Sequence, residues 1–197
     1  MPPRIYILGD SISLGYTPEV ATLLANRAIV THNPGNAMFS AFGRRSLPDW
    51  LGSSRYDVIH FNWGIWDLHR LQPSADPLEP SVNAFLREGV RRTTPEQYAA
   101  NLEAIIAILK NTGAKLIWAT TTPLRDNGEL CCIPVEVVHY NSVAHRIMTA
   151  HHIPINDLYS RALPELDRLL SPDGCHFTAD GYRYLGACVA GEIAKVL

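Results

Sequence analysis

No stretch of this 197-residue sequence approaches the ~18–20 consecutive apolar residues that a membrane-spanning helix requires. An excess of one charge is also lacking. Seventeen Lys and Arg stand against nineteen Asp and Glu, a net charge of −2, so no nucleic acid or other partner gripped through its phosphate charge is expected. The amino terminus passes from Met1-Pro2-Pro3-Arg4 straight into Ile5-Tyr6-Ile7-Leu8, too brief an apolar stretch for a secretory leader. Cysteine is scarce, at Cys131, Cys132, Cys175 and Cys188. Adjacent Cys131 and Cys132 cannot bridge each other without strain, and no pair has a zinc-ribbon spacing. The expectation is four reduced thiols in a cytoplasmic protein. There is no internal repeat.

What the sequence does have is a core. With 47% apolar and 18% charged residues it carries enough apolar surface to offset chain entropy, which excludes a disordered chain. A chain of this length removes about 70% of its unfolded surface from water and suits a single domain over residues 1–197.

Strand-length apolar runs alternate with segments of helical period, the pattern of a parallel sheet with crossover helices. The strands are expected at Ile5–Leu8, Ala28–Thr31, Val58–Asn62, Lys115–Thr120 and Ile153–Ile155. Thr17-Pro18-Glu19 reads as N-cap, first-turn proline and first-turn acid, opening a helix to about Ala25. Thr94-Pro95-Glu96-Gln97 is a capping-box pattern for a helix running to Asn111. Further helices are expected from Pro134 to Ala150 and from Thr178 to about Val196. The proline-rich stretch 70–92 breaks the rhythm, with a short helix at Val82–Gly89 at most. It leaves the carboxyl end of the third strand, where ligands bind in such sheets, and so reads as a surface insertion or a wall of the site.

Two segments carry chemistry. Gly9-Asp10-Ser11 follows the first strand directly, so a serine there projects from the carboxyl edge of the sheet beside a helix start. Peptide dipoles at that place favour an oxyanion. By itself the tripeptide is equally a polar turn or an anion-cradling loop, although it lacks the three-glycine and Gly-Lys-Ser/Thr fingerprints. Asp173-Gly174-Cys175-His176 precedes the last helix. Its spacing lets the carboxylate hold one imidazole nitrogen while the other faces outward, as a general base needs. His139, His145, His151 and His152, on or beside one helix, lack an acidic or Cys partner at a telling interval and are expected at the surface or in packing, not on a metal.

Together the two blocks are far more specific. The sequence resembles the SGNH hydrolases, also called the GDSL family, from Ile5 to the last helix. The resemblance implies a flavodoxin-like, three-layer α/β/α fold around a five-stranded parallel sheet. It also implies a hydrolase of the esterase, lipase, thioesterase and carbohydrate deacetylase group. Ser11 would be the nucleophile, His176 the general base and acid, and Asp173 the residue orienting it, with no metal or organic cofactor. The family's second block supplies an oxyanion-hole glycine, matched here by Gly35. Its third block is Gly-x-Asn-Asp, but Gly64-Ile65-Trp66-Asp67 puts Trp66 where the asparagine donor belongs.

Losing such a donor costs about 10²–10³ in turnover. Asn62, two residues before Gly64 and on the same side of an extended strand, is expected to replace it; the Trp66 indole N–H is the other candidate. The oxyanion hole is thus expected from Ser11, Gly35 and Asn62, and substrate contacts from Asp10, Trp63 and Trp66. Trp63 reads equally as a packing residue. Arg87, Arg91, Arg92 and Arg125 are expected as solvated charge. The activity expected is hydrolysis of small acyl esters, such as O-acyl groups of carbohydrates, through an acyl-enzyme. The alternative is a ligand-binding protein on the same scaffold that has lost turnover.

Overall fold

Five short parallel strands form the central sheet of the computed structural model, which describes residues 1–80 and 85–197. They are β1 (Arg4–Leu8), β2 (Ile29–His32), β3 (Val58–Phe61), β6 (Lys115–Ala119) and β7 (Ile155–Asn156), in the order β2-β1-β3-β6-β7. The central strands β1, β3 and β6 are buried along their length apart from the leading Arg4 and Lys115, because helices cover both of their faces, and His60 is the one polar side chain enclosed within them. The order reverses between β1 and β3. In a doubly wound sheet that switch point opens a crevice at the carboxyl ends of the strands. Ser11 follows β1 and Gly64 follows β3, so the fold brings the Gly9-Asp10-Ser11 block and the Gly64–Asp67 block to it.

The crossover helices are α1 (Ser11–Leu24), α2 (Ser40–Leu51), α4 (Pro95–Lys110) and α5 (Pro134–Ala150), and α8 (Ala179–Ala194) closes the chain after the last strand. Shorter turns are α3 (Ile65–Leu68), α6 (Leu158–Ala162) and α7 (Leu166–Leu169). The capping box of α4 forms as expected: Gln97 N donates to Thr94 Oγ1 and Thr94 N to Gln97 Oε1. Trp63, Trp118, Tyr98 and Tyr140 are fully buried, and burial of a large apolar side chain contributes about 1.5–3 kcal/mol.

Two expectations need correction, and one helix was not anticipated. The first helix does not begin at Thr17 but at Ser11, because the Asp10 carboxylate caps it by accepting from Ile12 N at 3.0 Å. Pro18 lies inside it, and Leu14, whose carbonyl loses a partner to that proline, is on the exposed side. Helix α2 was hidden by Gly43 and Pro48. Gly43 is there for space, since a Cβ would lie 2.4 Å from the Trp63 ring. The expected strands at Ala28–Thr31 and Ile153–Ile155 begin one and two residues later.

The insertion forms a two-stranded antiparallel ribbon, β4 (Arg70–Leu71) with β5 (Val90–Arg91). Of the helix expected at Val82–Gly89, residues 82–84 lie outside the described residues. Phe85 instead bridges Leu71, and Gly89 N closes a turn on Leu86 O.

Ser11 and His176 are 165 positions apart, and the packing of α1 on α8 is what joins them. Two glycines let these helices approach. A Cβ on Gly15 would overlap the Tyr182 ring at 2.1 Å, and one on Gly186 would meet the Glu19 Cβ at 2.6 Å. The turn carrying His176 is then fixed at its end by α8, whose cap Thr178 accepts from Gly181 N at 3.1 Å.

Candidate active site

Ser11 is the first residue of α1, so its hydroxyl stands at the carboxyl edge of the sheet and its N–H belongs to the unpaired first turn. Asp10 beneath it is buried. Its Oδ1 caps the helix, and its Oδ2 is buried with no hydrogen-bond partner among the described residues. Burial pushes the Asp10 carboxyl up to about 6, against the opposing pull of the Ile12 N–H and the nearby His176. It therefore supports the helix start and offers no surface to a ligand, contrary to its expected role as a substrate contact.

The turn opposite is built around Asp173. Its Oδ1 accepts from Ser171 Oγ at 2.8 Å, Cys175 N at 2.9 Å and His176 N at 2.8 Å, and its Oδ2 lies 2.7 Å from His176 Nδ1. Partial desolvation raises the Asp173 carboxyl, but these bonds outweigh it and hold the group well below the usual carboxylate range. An ionised carboxylate only accepts, so in the neutral imidazole the hydrogen sits on Nδ1 and Nε2 is the acceptor. That Nε2 lies 3.0 Å from Ser11 Oγ.

The structure thus brings Ser11, His176 and Asp173 into one hydrogen-bonded line. Other expected residues are placed differently. Asn62 is buried, and its amide is engaged by Ala119 O on β6 at 2.7 Å, bracing β3 against β6. It lines an internal cavity of about 10 Å³ with Ile12, Ser13, Tyr16, Ile65 and Thr122. Strand alternation correctly turned Asn62 inward but could not show that a neighbouring carbonyl already takes its amide. Gly35 is exposed after β2 with φ +64°, a conformation suited to glycine.

Trp63 is completely buried, donates to Ala37 O at 3.1 Å and packs on Gly43, so its ring faces no ligand. Trp66 is half-buried. Its ring centroid lies 4.9 Å from that of His69 and 6.1 Å from that of Phe85, and this aromatic cluster joins α3 to the insertion. Burial lowers His69 to about 4, so it sits there as a neutral ring.

The arginines are not simply solvated. Arg92 is buried, stacks 4.5 Å over the Phe39 ring and donates to Pro77 O at 2.9 Å. Arg70 and Arg91 share Glu136, Arg87 pairs with Asp126, and Arg125 with Asp167. Sequence reasoning read Arg125 as solvated charge and missed Asn127; both bond the Asp173–His176 turn from the loop after β6. An Asp-Asn-Gly run announces a turn but not what the turn touches. Among the described residues no group of three or more His, Cys, Asp or Glu side chains is arranged to hold a metal ion. An open groove of about 370 Å³ lies at the carboxyl ends of β6 and β7, and none of the three aligned residues lines it.

The five-stranded sheet with its 2-1-3 strand reversal is that of a hydrolase scaffold. The sequence model of the GDSL-like lipase/acylhydrolase family matches residues 7–184, and the chain belongs to that family. Among solved structures it is similar to a lipase/acylhydrolase from Enterococcus faecalis, at 22% identity and a TM-score of 0.78 over 98% of this chain and 96% of the other. It is also similar to an acetylxylan esterase from Geobacillus stearothermophilus, at 17% identity and a TM-score of 0.72 over 97% and 94%. A further acetyl xylan esterase matches at 15% identity and a TM-score of 0.72 over 96% and 99%. At such identities these likenesses speak for the fold. No curated protein sequence matches the chain.

Proposed function

We propose that this enzyme is a serine esterase cleaving small acyl esters, with O-acetyl groups of carbohydrates as the substrate class, and that Ser11, His176 and Asp173 are its catalytic triad. The observation carrying this is the line from Ser11 Oγ through His176 to Asp173, at 3.0 and 2.7 Å. His176 Nε2 takes the Ser11 proton as Oγ attacks the ester carbonyl, and Asp173 stabilises the imidazolium. The oxyanion rests on the N–H groups of Ser11 and Gly35. His176 then protonates the departing alcohol. In the second half it takes a proton from water, whose oxygen attacks the acyl-enzyme; collapse of that adduct releases the acid and returns the proton to Ser11.

One observation favours a short acyl group: two of the similar structures are acetyl xylan esterases. The four unbridged thiols suit a reducing compartment, which supports a cytoplasmic location.

A fluorophosphonate probe and a series of nitrophenyl esters test the proposal. Wild-type protein is expected to be labelled at Ser11 and to hydrolyse the acetyl ester faster than long-chain esters, with both signals lost in Ser11→Ala. Folded protein that takes no label and hydrolyses no acetyl ester overturns it. Sugar binding that survives Ser11→Ala would then identify a binding protein on a hydrolase scaffold.

A further inference from the structure

The His176 and Asp173 side chains are 44% and 50% exposed, so their alignment with Ser11 depends on the hydrogen bonds that hold the turn. Within it Ser171 N donates to His176 O at 2.8 Å, and the loop between β6 and α5 supplies a second set from outside. Arg125 N donates to Gly174 O at 2.8 Å, and the Asn127 amide donates to Asp173 O at 3.0 Å and Pro172 O at 3.4 Å. At its other end Asn127 Oδ1 accepts from Glu129 N and Leu130 N, both at 3.0 Å. One side chain therefore closes its own loop with its oxygen and grips the Asp173 backbone with its nitrogen.

That loop is fastened in turn to the insertion. The Arg87 guanidinium engages both Asp126 oxygens, at 2.7 and 2.5 Å, and reaches Leu130 O at 3.3 Å. Asp126 Oδ1 also accepts from Gly128 N at 2.9 Å. Farther along, Arg70 N donates to Cys131 O at 2.8 Å.

We propose that Asn127 is a positioning residue for Asp173 and His176, and that the 70–92 insertion acts as the strut behind it through Arg87 and Asp126. The proposal deepens the esterase reading and rests on it. Asn127 touches no reacting atom. It sets where the imidazole stands relative to Ser11, and a misplacement of about 1 Å in such a site costs up to about 10²-fold in rate.

Asn127→Asp separates positioning from loop shape. It keeps an acceptor for Glu129 N and Leu130 N but turns an oxygen toward two carbonyls, whereas Asn127→Ala removes both ends. For nitrophenyl acetate, kcat is expected to fall about tenfold in both variants with KM within about twofold, while Asn127→Asp melts near wild type. Arg87→Ala is expected to lower kcat about threefold, and adding it to Asn127→Asp to cost little more, because both act on one linkage. Wild-type kcat in both Asn127 variants overturns the proposal. So does full activity in Asn127→Asp beside a defective Asn127→Ala, which would leave Asn127 a loop-shaping residue only. Wild-type labelling of Ser11 is measured first: its absence removes the esterase reading itself, whereas labelled wild type with unaffected variants removes only the strut.

Discussion

Arg125 and Gly174 interlock across the gap between two loops: the Arg125 N–H donates to Gly174 O, and the Arg125 carbonyl occupies the space a side chain on Gly174 would need. Gly174 has φ +79°, and a Cβ there would lie 2.2 Å from Arg125 O. The turn presenting Asp173 and His176 therefore depends on a glycine for both its conformation and its neighbour. Gly174→Ala is expected to lower kcat about 10²-fold and to destabilise the fold by about 1–3 kcal/mol. Gly191→Ala is the control: a Cβ there meets nothing within 4 Å, so it should stabilise α8 by about 0.5–1 kcal/mol and leave turnover unchanged. Parallel stopped-flow and denaturation measurements check both. Full activity in Gly174→Ala would show that the turn tolerates displacement.

Asp173→Asn reverses the imidazole. An amide N–H facing Nδ1 makes that nitrogen an acceptor, so Nε2 carries the hydrogen and no longer receives the Ser11 proton. A fall in kcat of about 10³–10⁴ is expected, with fluorophosphonate labelling slowed in proportion. A loss under tenfold would mean that Asp173 does not govern the tautomer.

Asn62→Ala is expected to act on stability and little on chemistry. Its amide serves Ala119 O, so removal leaves a buried carbonyl unpaired, at a cost of about 1–3 kcal/mol. Turnover per folded molecule should stay within about threefold. A loss of ~10² at unchanged folding would instead restore Asn62 as an oxyanion donor.

Asp67 gives a pH dependence of definite sign. It is fully buried and accepts from Ser40 N and Oγ, yet burial raises its carboxyl from 3.8 to about 6. Between those values the folded state holds a proton that the unfolded chain has released. Its contribution to stability is therefore complete below about pH 4 and is lost as pH rises to about 6, by about 3 kcal/mol for a shift of about two units. Asp10 adds a similar trend, so the wild-type curve minus that of Asp67→Asn isolates Asp67. The difference should slope downward across pH 4–6.5; parallel curves would show that Asp67 stays ionised in the folded protein.

The alternation of apolar runs and capping signals was enough to specify a parallel sheet with crossover helices, because strand burial and helix capping are local in sequence. Gly9-Asp10-Ser11 and Asp173-x-x-His176 were legible for the same reason: each is a short motif whose backbone context, strand end or helix start, is written beside it. Only the tertiary structure decided which partners those residues meet. Trp63 turned out to fill core space over Gly43, the Asn62 amide was taken by a carbonyl on another strand, and Arg92 was buried against Phe39. Likewise, nothing local announces that Asn127 reaches Asp173 across the fold. These are contacts between distant segments, fixed by how helices and loops pack, and chain order alone does not encode them in any short pattern.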